Sequence, residues 1–358
     1  SAASDVYKRQ EVYYMQSEVF TRPGWFFDEK SMKHKYLINN GFFKKIGRFN
    51  VFFNPNLIRK ILFEQPKNLV LALAWNDLDV LLICLLKRLG MIKSKLTFWS
   101  EANHMTIGAS NDNFFKYIIR KFVYNCCDVQ ISSGKMTEIT FIKWGFDFKK
   151  YIPLPNTIEQ NKYTISNIDI NKRYSKGKKP VFLISARLIE NVKGVLNFLE
   201  SLDLDDLKSV DFLIAGEGPD KKIIELFISK NNLKNIRLLG QCSTHEMIDL
   251  YKRVNCLCLP SYSDPSPLSL IEACKMHLPI LVSERCGNHF EVLENGKNGY
   301  IFNPKNKTSI KSAFKKFLKN HSQWKEMGDY GFNIYNNTFE RELVIDNFVK
   351  YFNKYMKV

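Results

Sequence analysis

Two α/β domains in tandem, each built on a parallel sheet, is the fold class this sequence predicts. Three observations carry it. Short apolar runs alternate with helix-length stretches along most of the chain, the pattern of parallel sheets covered by helices on both faces. The alternation stops in a stretch rich in Pro, Asn and Lys at 151–180, read as a linker, and then restarts. The 358 residues, 45% hydrophobic and 25% charged, suffice for two domain-sized cores and exclude disorder as the main state.

Residues 12–17 alternate loosely and run toward Arg22-Pro23-Gly24, a strand leaving into a turn. Residues 68–73 form a continuous apolar run, as a strand covered on both faces requires. A helix follows Asp77 through Leu89 and ends at Gly90, and residues 95–99 and 128–132 are further strands. Beyond the linker the expected strands are 180–185, 210–215, 236–239, 256–260 and 280–283. The expected helices are 193–202, 220–230, 245–253 and 268–276, with a last amphipathic helix at 340–357. The domain expectation is therefore 11–157, 158–339, and a C-terminal helix within 340–358 that packs back toward the first domain.

Residues 1–10, Ser1-Ala2-Ala3-Ser4-Asp5-Val6-Tyr7-Lys8-Arg9-Gln10, read as the in-frame translation of a transposase-based sequencing adapter and are set aside. The native coding sequence is then expected to reach upstream of Glu11, leaving the first domain truncated. Such a piece would leave a neighbouring strand with an unpaired apolar edge and dissolve poorly.

The formal charge of +17 is unevenly spread, with 23 of the 53 Lys and Arg but only 13 of the 36 Asp and Glu in residues 1–155. A basic surface points to anionic partners, although Lys also accompanies the Asn, Ile, Phe and Tyr that AT-rich codons favour. The eight cysteines form no C-x-x-C pair and sit mostly in apolar runs, as buried free thiols in a reducing compartment do. No uncharged stretch reaches the roughly 18 residues of a membrane span. Residues 114–124 mix aromatics with cations at helical spacing. Such a pattern suits either a core-facing helix with a solvated basic edge or an interfacial helix on an anionic membrane.

Candidate chemistry sits at the expected strand ends of the second domain, where ligands of open parallel sheets bind. Arg187 follows one strand, and Lys193-Gly194 stand where the next helix should start. Two cations beside a helix N-terminus suit a diphosphate, though such pairs also occur on ordinary surfaces. Ala215-Gly216-Glu217-Gly218-Pro219 lies between strand and helix and serves either a close ligand approach or a tight turn. In Ser261-Tyr262-Ser263-Asp264-Pro265-Ser266-Pro267-Leu268-Ser269-Leu270-Ile271-Glu272 two carboxylates are separated by seven residues. Both can face one cleft, with the Leu268 and Ser269 amides holding phosphate between them. A carboxylate suits vicinal hydroxyls, so one acid fits a ribose and the other a transferred sugar. Ser283-Glu284-Arg285-Cys286-Gly287-Asn288 offers another loop at the same mouth.

These elements, together with Glu291-Val292-Leu293-Glu294-Asn295-Gly296-Lys297-Asn298-Gly299-Tyr300, resemble glycosyltransferase family 4 in their order and spacing, over most of residues 180–304. The resemblance implies a GT-B fold, two Rossmann-like domains facing a cleft, with retention of anomeric configuration. It also implies no metal and no cofactor beyond a UDP- or GDP-linked sugar substrate. Arg187 and Lys193 match the basic pair that neutralises the leaving diphosphate, Glu272 the acid on the ribose, and Asp264 the acid on sugar hydroxyls. Asp264 stands where the family usually has Glu, and Pro267 where Gly is common, removing one amide donor. In the first domain the similarity is loose. Glu101 and His104, in Trp99-Ser100-Glu101-Ala102-Asn103-His104, are candidates to face the reacting sugar or acceptor. Residues 128–132 and Pro155-Asn156-Thr157 match the strand and link before the donor domain, whereas the family's first strand and glycine-rich loop are not found. The implied acceptor is a polysaccharide, lipid-linked or other glycan, at the cytoplasmic face of a membrane. An epimerase of the same fold would need further acid/base residues in the cleft. A nucleic-acid-binding protein would need a recognition motif, and none is present.

Overall fold

The structure, a computed structural model, describes residues 12–14, 36–38, 41–46, 49–106, 114–146, 150–175 and 177–356. The adapter reading at 1–10 and the end of the first expected strand, 15–17, lie outside the described residues. Strands β1 (Val12–Tyr14) and β2 (Tyr36–Ile38) pair in parallel, and β3 (Phe42–Ile46) and β4 (Phe49–Phe53) form an antiparallel hairpin that the sequence pattern did not reveal.

The first domain is centred on β5 (Asn68–Leu71), β6 (Lys95–Ser100), β7 (Val129–Ser132) and β8 (Tyr151–Pro153), all parallel and adjacent in that order. One face is covered by helices Leu78–Arg88 and Phe114–Cys126, which bury Val80, Ile83, Val123 and Tyr124 with Leu96 and Phe98. The side chains of Val129, Ile131 and Ile152 point the other way. They pack on Phe348, Tyr351 and Met356 of the last helix, Arg341–Met356, which thus lies on the first domain's sheet.

The second domain carries β9 (Val181–Ser185), β10 (Asp211–Ala215), β11 (Ile236–Gly240), β12 (Cys256–Leu259), β13 (Ile280–Ser283) and β14 (Gly299–Phe302), in the spatial order β11-β10-β9-β12-β13-β14. Every pairing is parallel. Residues of the inner strands β9, β10, β12 and β13 are buried in succession because each face has its own core, whereas the edge strand β11 alternates between buried or half-buried and exposed positions. Phe182, Phe212, Phe314 and Trp324 pack on one side, and Leu183, Leu257, Ile271 and Val282 on the other. The chain winds outward from β9 in one direction and from β12 in the other. A ligand crevice therefore opens between their carboxyl ends. The molecule has two Rossmann-like domains with parallel sheets, the GT-B architecture.

Two expectations need correction. The stretch 151–180 is not a plain linker: it supplies β8 and helix Asn167–Arg173, whose Ser166 cap accepts the Asp169 amide. Its apolar anchors, Ile158, Tyr163 and Ile170, are too sparse to show a period, yet all are buried. Arg173 replaces further apolar contact by donating to the carbonyls of Tyr251 at 2.7 Å and Met276 at 2.8 Å. The helix expected at 193–202 is two, Glu190–Lys193 and Val195–Glu200, broken by Gly194 at φ +60°. A side chain at 194 would meet the Pro260 carbonyl at 2.9 Å, so glycine is required for both conformation and space. All eight cysteines are free, six of them buried and Cys127 and Cys242 half-buried.

Candidate functional site

The crevice between β9 and β12 is lined by the loops that follow each strand. Arg187, just beyond β9, is exposed and makes no ion pair among the described residues. Its loop is backed by the 215–219 turn: Leu188 donates to the Glu217 carbonyl at 2.9 Å and Ala186 to that of Ala215 at 3.0 Å. A Cβ on Gly216 would lie 1.9 Å from the Ala186 carbonyl oxygen, and one on Gly218 2.2 Å from that of Leu188. What demands glycine at 216 is thus the approach of the Arg187 loop, and the turn serves to hold that loop in place.

Lys193 ends the short helix Glu190–Lys193 and directs its ammonium to the Asp264 carboxylate at 2.5 Å. The Asp264 loop is laced on both sides. Ser263 donates to the Val192 carbonyl at 3.0 Å, and the Asp264 carbonyl accepts the Gly287 amide at 2.8 Å. The 283–288 loop therefore supports Asp264 from behind. Helix Leu268–Lys275 begins at Pro267 without a side-chain cap, and the Leu268 and Ser269 amides have no protein acceptor among the described residues. Free first-turn amides are anion donors. One turn on, Glu272 accepts hydroxyls from Tyr163 and Tyr251, each at 2.6 Å. Burial pushes both phenols well above their ordinary pKa, and the Glu272 charge adds to the effect.

The first domain reaches this crevice from the carboxyl end of β6. Glu101 accepts the Asn156 amide group at 2.6 Å, and the same nitrogen lies 3.1 Å from the Ser266 hydroxyl. Glu101 is thereby tied to the Asp264 loop. His104 is placed differently: its Nδ1 faces Thr140 Oγ1 at 3.0 Å and its Nε2 accepts from Lys143 at 2.7 Å. Burial first, then Lys143 and Arg285, hold its pKa below the ordinary 6.5, which favours the neutral imidazole. The ring is held by Thr140 and Lys143 of helix Lys135–Lys143, with Arg285 of the 283–288 loop near enough to act on its charge. Further contacts join the domains, among them that of Asn103 with the Arg285 carbonyl at 3.4 Å. Arg285 donates to the Met105 carbonyl at 2.9 Å, and Glu291 accepts the Lys135 amide at 2.5 Å.

Sequence reasoning missed Tyr163 and Tyr251, and it quoted Ser266 and Glu291 only as members of longer motifs, with no contact assigned to either. Tyr251 carries the signature of a core residue on an amphipathic helix, and Tyr163 sits in the stretch read as linker. Among the described residues no group of three or more His, Cys, Asp or Glu could hold a metal ion, and no helix is long and apolar enough to cross a membrane.

Residues 166–334 match the family described as glycosyl transferases group 1. The chain is 29% identical over 130 residues to an uncharacterized glycosyltransferase of Methanocaldococcus jannaschii, covering 36% of this chain and 37% of that protein. It is 25% identical over 227 residues to the Campylobacter jejuni N,N'-diacetylbacillosaminyl-diphospho-undecaprenol alpha-1,3-N-acetylgalactosaminyltransferase, covering 63% of this chain and 53% of that protein. The chain thus spans between about a third and a half of the length of these two relatives. Among solved structures, Anabaena HepE in complex with UDP is similar in fold, with a TM-score of 0.70, 14% identity, and coverage of 90% of this chain and 86% of that one.

Proposed function

We propose that this chain, a GT-B-fold protein similar over residues 166–334 to glycosyl transferases group 1, is a retaining glycosyltransferase that takes its sugar from a nucleotide diphosphate donor. The observation that supports the reading is the convergence on one crevice of two cations, free helix-start amides and two carboxylates. Arg187, Lys193 and the Leu268 and Ser269 amides would take the diphosphate. As the bond between the anomeric carbon and the phosphate oxygen breaks, negative charge builds on the leaving group, and donors already aimed there stabilise it without reorganisation. With that many donors for the diphosphate, the reading assigns the step no metal and no cofactor. Glu272 accepts ribose hydroxyls and Asp264 sugar hydroxyls. Glu101 faces the reacting sugar or acceptor, with neutral His104 as a lesser contributor because of its contacts with Thr140 and Lys143.

The acceptor in this reading is a lipid-linked or other glycan presented at the cytoplasmic face of a membrane. The name of the Campylobacter relative, which carries a diphospho-undecaprenol, supports that class. So do the exposed Phe114, Phe115, Ile118 and Ile119 on a helix that also bears Lys116 and Lys121. No role in nucleic-acid binding is assigned.

Calorimetric titration with UDP and GDP tests the donor site. Arg187→Ala is expected to weaken the preferred nucleotide by about ten- to a hundredfold, the loss of a charge-assisted contact. Unchanged affinity would remove Arg187, and with it the diphosphate assignment. Turnover of a panel of UDP- and GDP-linked sugars then identifies the donor.

A further inference from the structure

Both oxygens of the Glu272 carboxylate are already engaged by the protein. Oε1 accepts the Tyr163 hydroxyl and Oε2 the Tyr251 hydroxyl, each at 2.6 Å. The two phenols come from separate parts of the chain. Tyr251 lies in the last turn of helix Thr244–Arg253 and is fully buried. Tyr163 belongs to the segment that enters the second domain and is 7% exposed, its ring 6.4 Å from that of Tyr251. An ionised carboxylate offers about four lone-pair sites. One phenol on each oxygen leaves one site on each, which is what a vicinal diol needs.

We propose that Tyr163 and Tyr251 are positioning residues that fix the Glu272 carboxylate so that its remaining acceptor sites meet the two ribose hydroxyls of the bound nucleotide. The inference rests on the reading of Glu272 as the ribose acid. A glutamate free to rotate would have to be ordered on binding, at the expense of affinity. Held by two hydroxyl–carboxylate bonds, it is ordered beforehand. Burial keeps both phenols protonated, so the two donors persist across the pH range in which the protein would work. Tyr163 is itself anchored where the chain crosses between domains. Three residues earlier, Gln160 accepts the Tyr335 hydroxyl at 3.1 Å and donates to Glu340 at 3.0 Å, just before the last helix returns to the first domain.

The test is discrimination between UDP and 2′,3′-dideoxy-UDP by calorimetry, or between the guanosine pair if GDP binds more tightly. The full chain is compared with Tyr163→Phe, Tyr251→Phe and Glu272→Ala. The unsubstituted chain should prefer the ribonucleotide by about ten- to a hundredfold, and Glu272→Ala should abolish the preference. Each Tyr→Phe change should cut the preference at least about threefold, and Tyr163→Phe should cut it no further in the Glu272→Ala background. A purely packing role would weaken both nucleotides alike and leave the ratio untouched. That outcome, with the ratio lost in Glu272→Ala, overturns the inference alone. A ratio that survives Glu272→Ala overturns the ribose reading and the inference with it. Should Tyr251→Phe fail to fold, Tyr163→Phe decides.

Discussion

The Lys193 ammonium and the Asp264 carboxylate face each other at 2.5 Å, with only 20% and 15% of their side chains exposed. A cation suited to a diphosphate and an acid suited to sugar hydroxyls are thus each other's partner. In the proposed donor site a bound diphosphate would share the ammonium with Asp264.

The pair predicts opposite results for its two halves. Lys193→Ala would remove a contact of the proposed diphosphate site and leave a mostly buried carboxylate without its cation. UDP affinity and stability should both fall, the latter by about 1–3 kcal/mol, less than for a fully buried pair because some solvent reaches it. Asp264→Ala releases the ammonium, so free UDP should bind as well as before or better while turnover of the intact nucleotide sugar drops. Calorimetry and thermal unfolding read the two effects. Equal weakening of UDP by both substitutions would contradict this account of the pair.

The aromatic end of helix Phe114–Cys126 carries the membrane proposal. Phe114 and Phe115 are 72% and 74% exposed, whereas Val123 and Tyr124 in the later turns are buried. Insertion of two phenyl rings into the headgroup boundary, with Lys121 beside anionic lipid, should hold the chain on vesicles rich in acidic phospholipid. Replacing both phenylalanines by serine should lower vesicle partition about tenfold or more. Flotation at low salt provides the measurement, and equal recovery with neutral and anionic vesicles would rule out the proposed surface.

The contrast between what could and could not be read from the sequence follows from range. Arg187, Lys193, Asp264 and Glu272 lie in the segments that follow β9 and β12, which local apolar runs locate, so their placement beyond those two strands was legible once the alternation was counted. Within the order β11-β10-β9-β12-β13-β14, the β9–β12 pairing that places the two loops side by side joins residues more than seventy positions apart. Nothing local reports it. Tyr163 was hidden for another reason: a single aromatic in a polar stretch has no period, and its role is set by Glu272, 109 residues on. The break at Gly194 was visible only as a glycine inside a helical pattern; its left-handed φ of +60° ends one helix, and the Pro260 carbonyl packed against it leaves no room for a side chain. The hydrogen bonds of the His104 ring to Thr140 and Lys143, on a helix more than thirty residues further along the chain, were likewise beyond local reading.

A final prediction concerns Glu291, which joins the two domains. From helix His289–Val292 its carboxylate accepts the Lys135 amide at 2.5 Å, at the start of the nine-residue helix Lys135–Lys143. Gly134 makes the approach possible, since a Cβ there would lie 2.7 Å from the carboxylate oxygen. The positive end of the helix favours the charged form, but burial outweighs it, and the carboxyl pKa is raised above its ordinary 4.5. The sign follows from linkage: the folded chain keeps this proton to higher pH than the unfolded chain does. The stabilisation from protonation is therefore complete below about 4.5 and is lost as pH rises through the folded value. Comparison with Glu291→Gln isolates the group, because the other titrating residues cancel in the difference. Urea unfolding of both proteins between pH 4 and 8 should show the stability of the unsubstituted chain, relative to Glu291→Gln, falling as pH rises from about 4.5 and then levelling. A difference that stays flat, or that grows with pH, would mean that the amide and the helix terminus overcome burial and hold Glu291 charged at the domain junction.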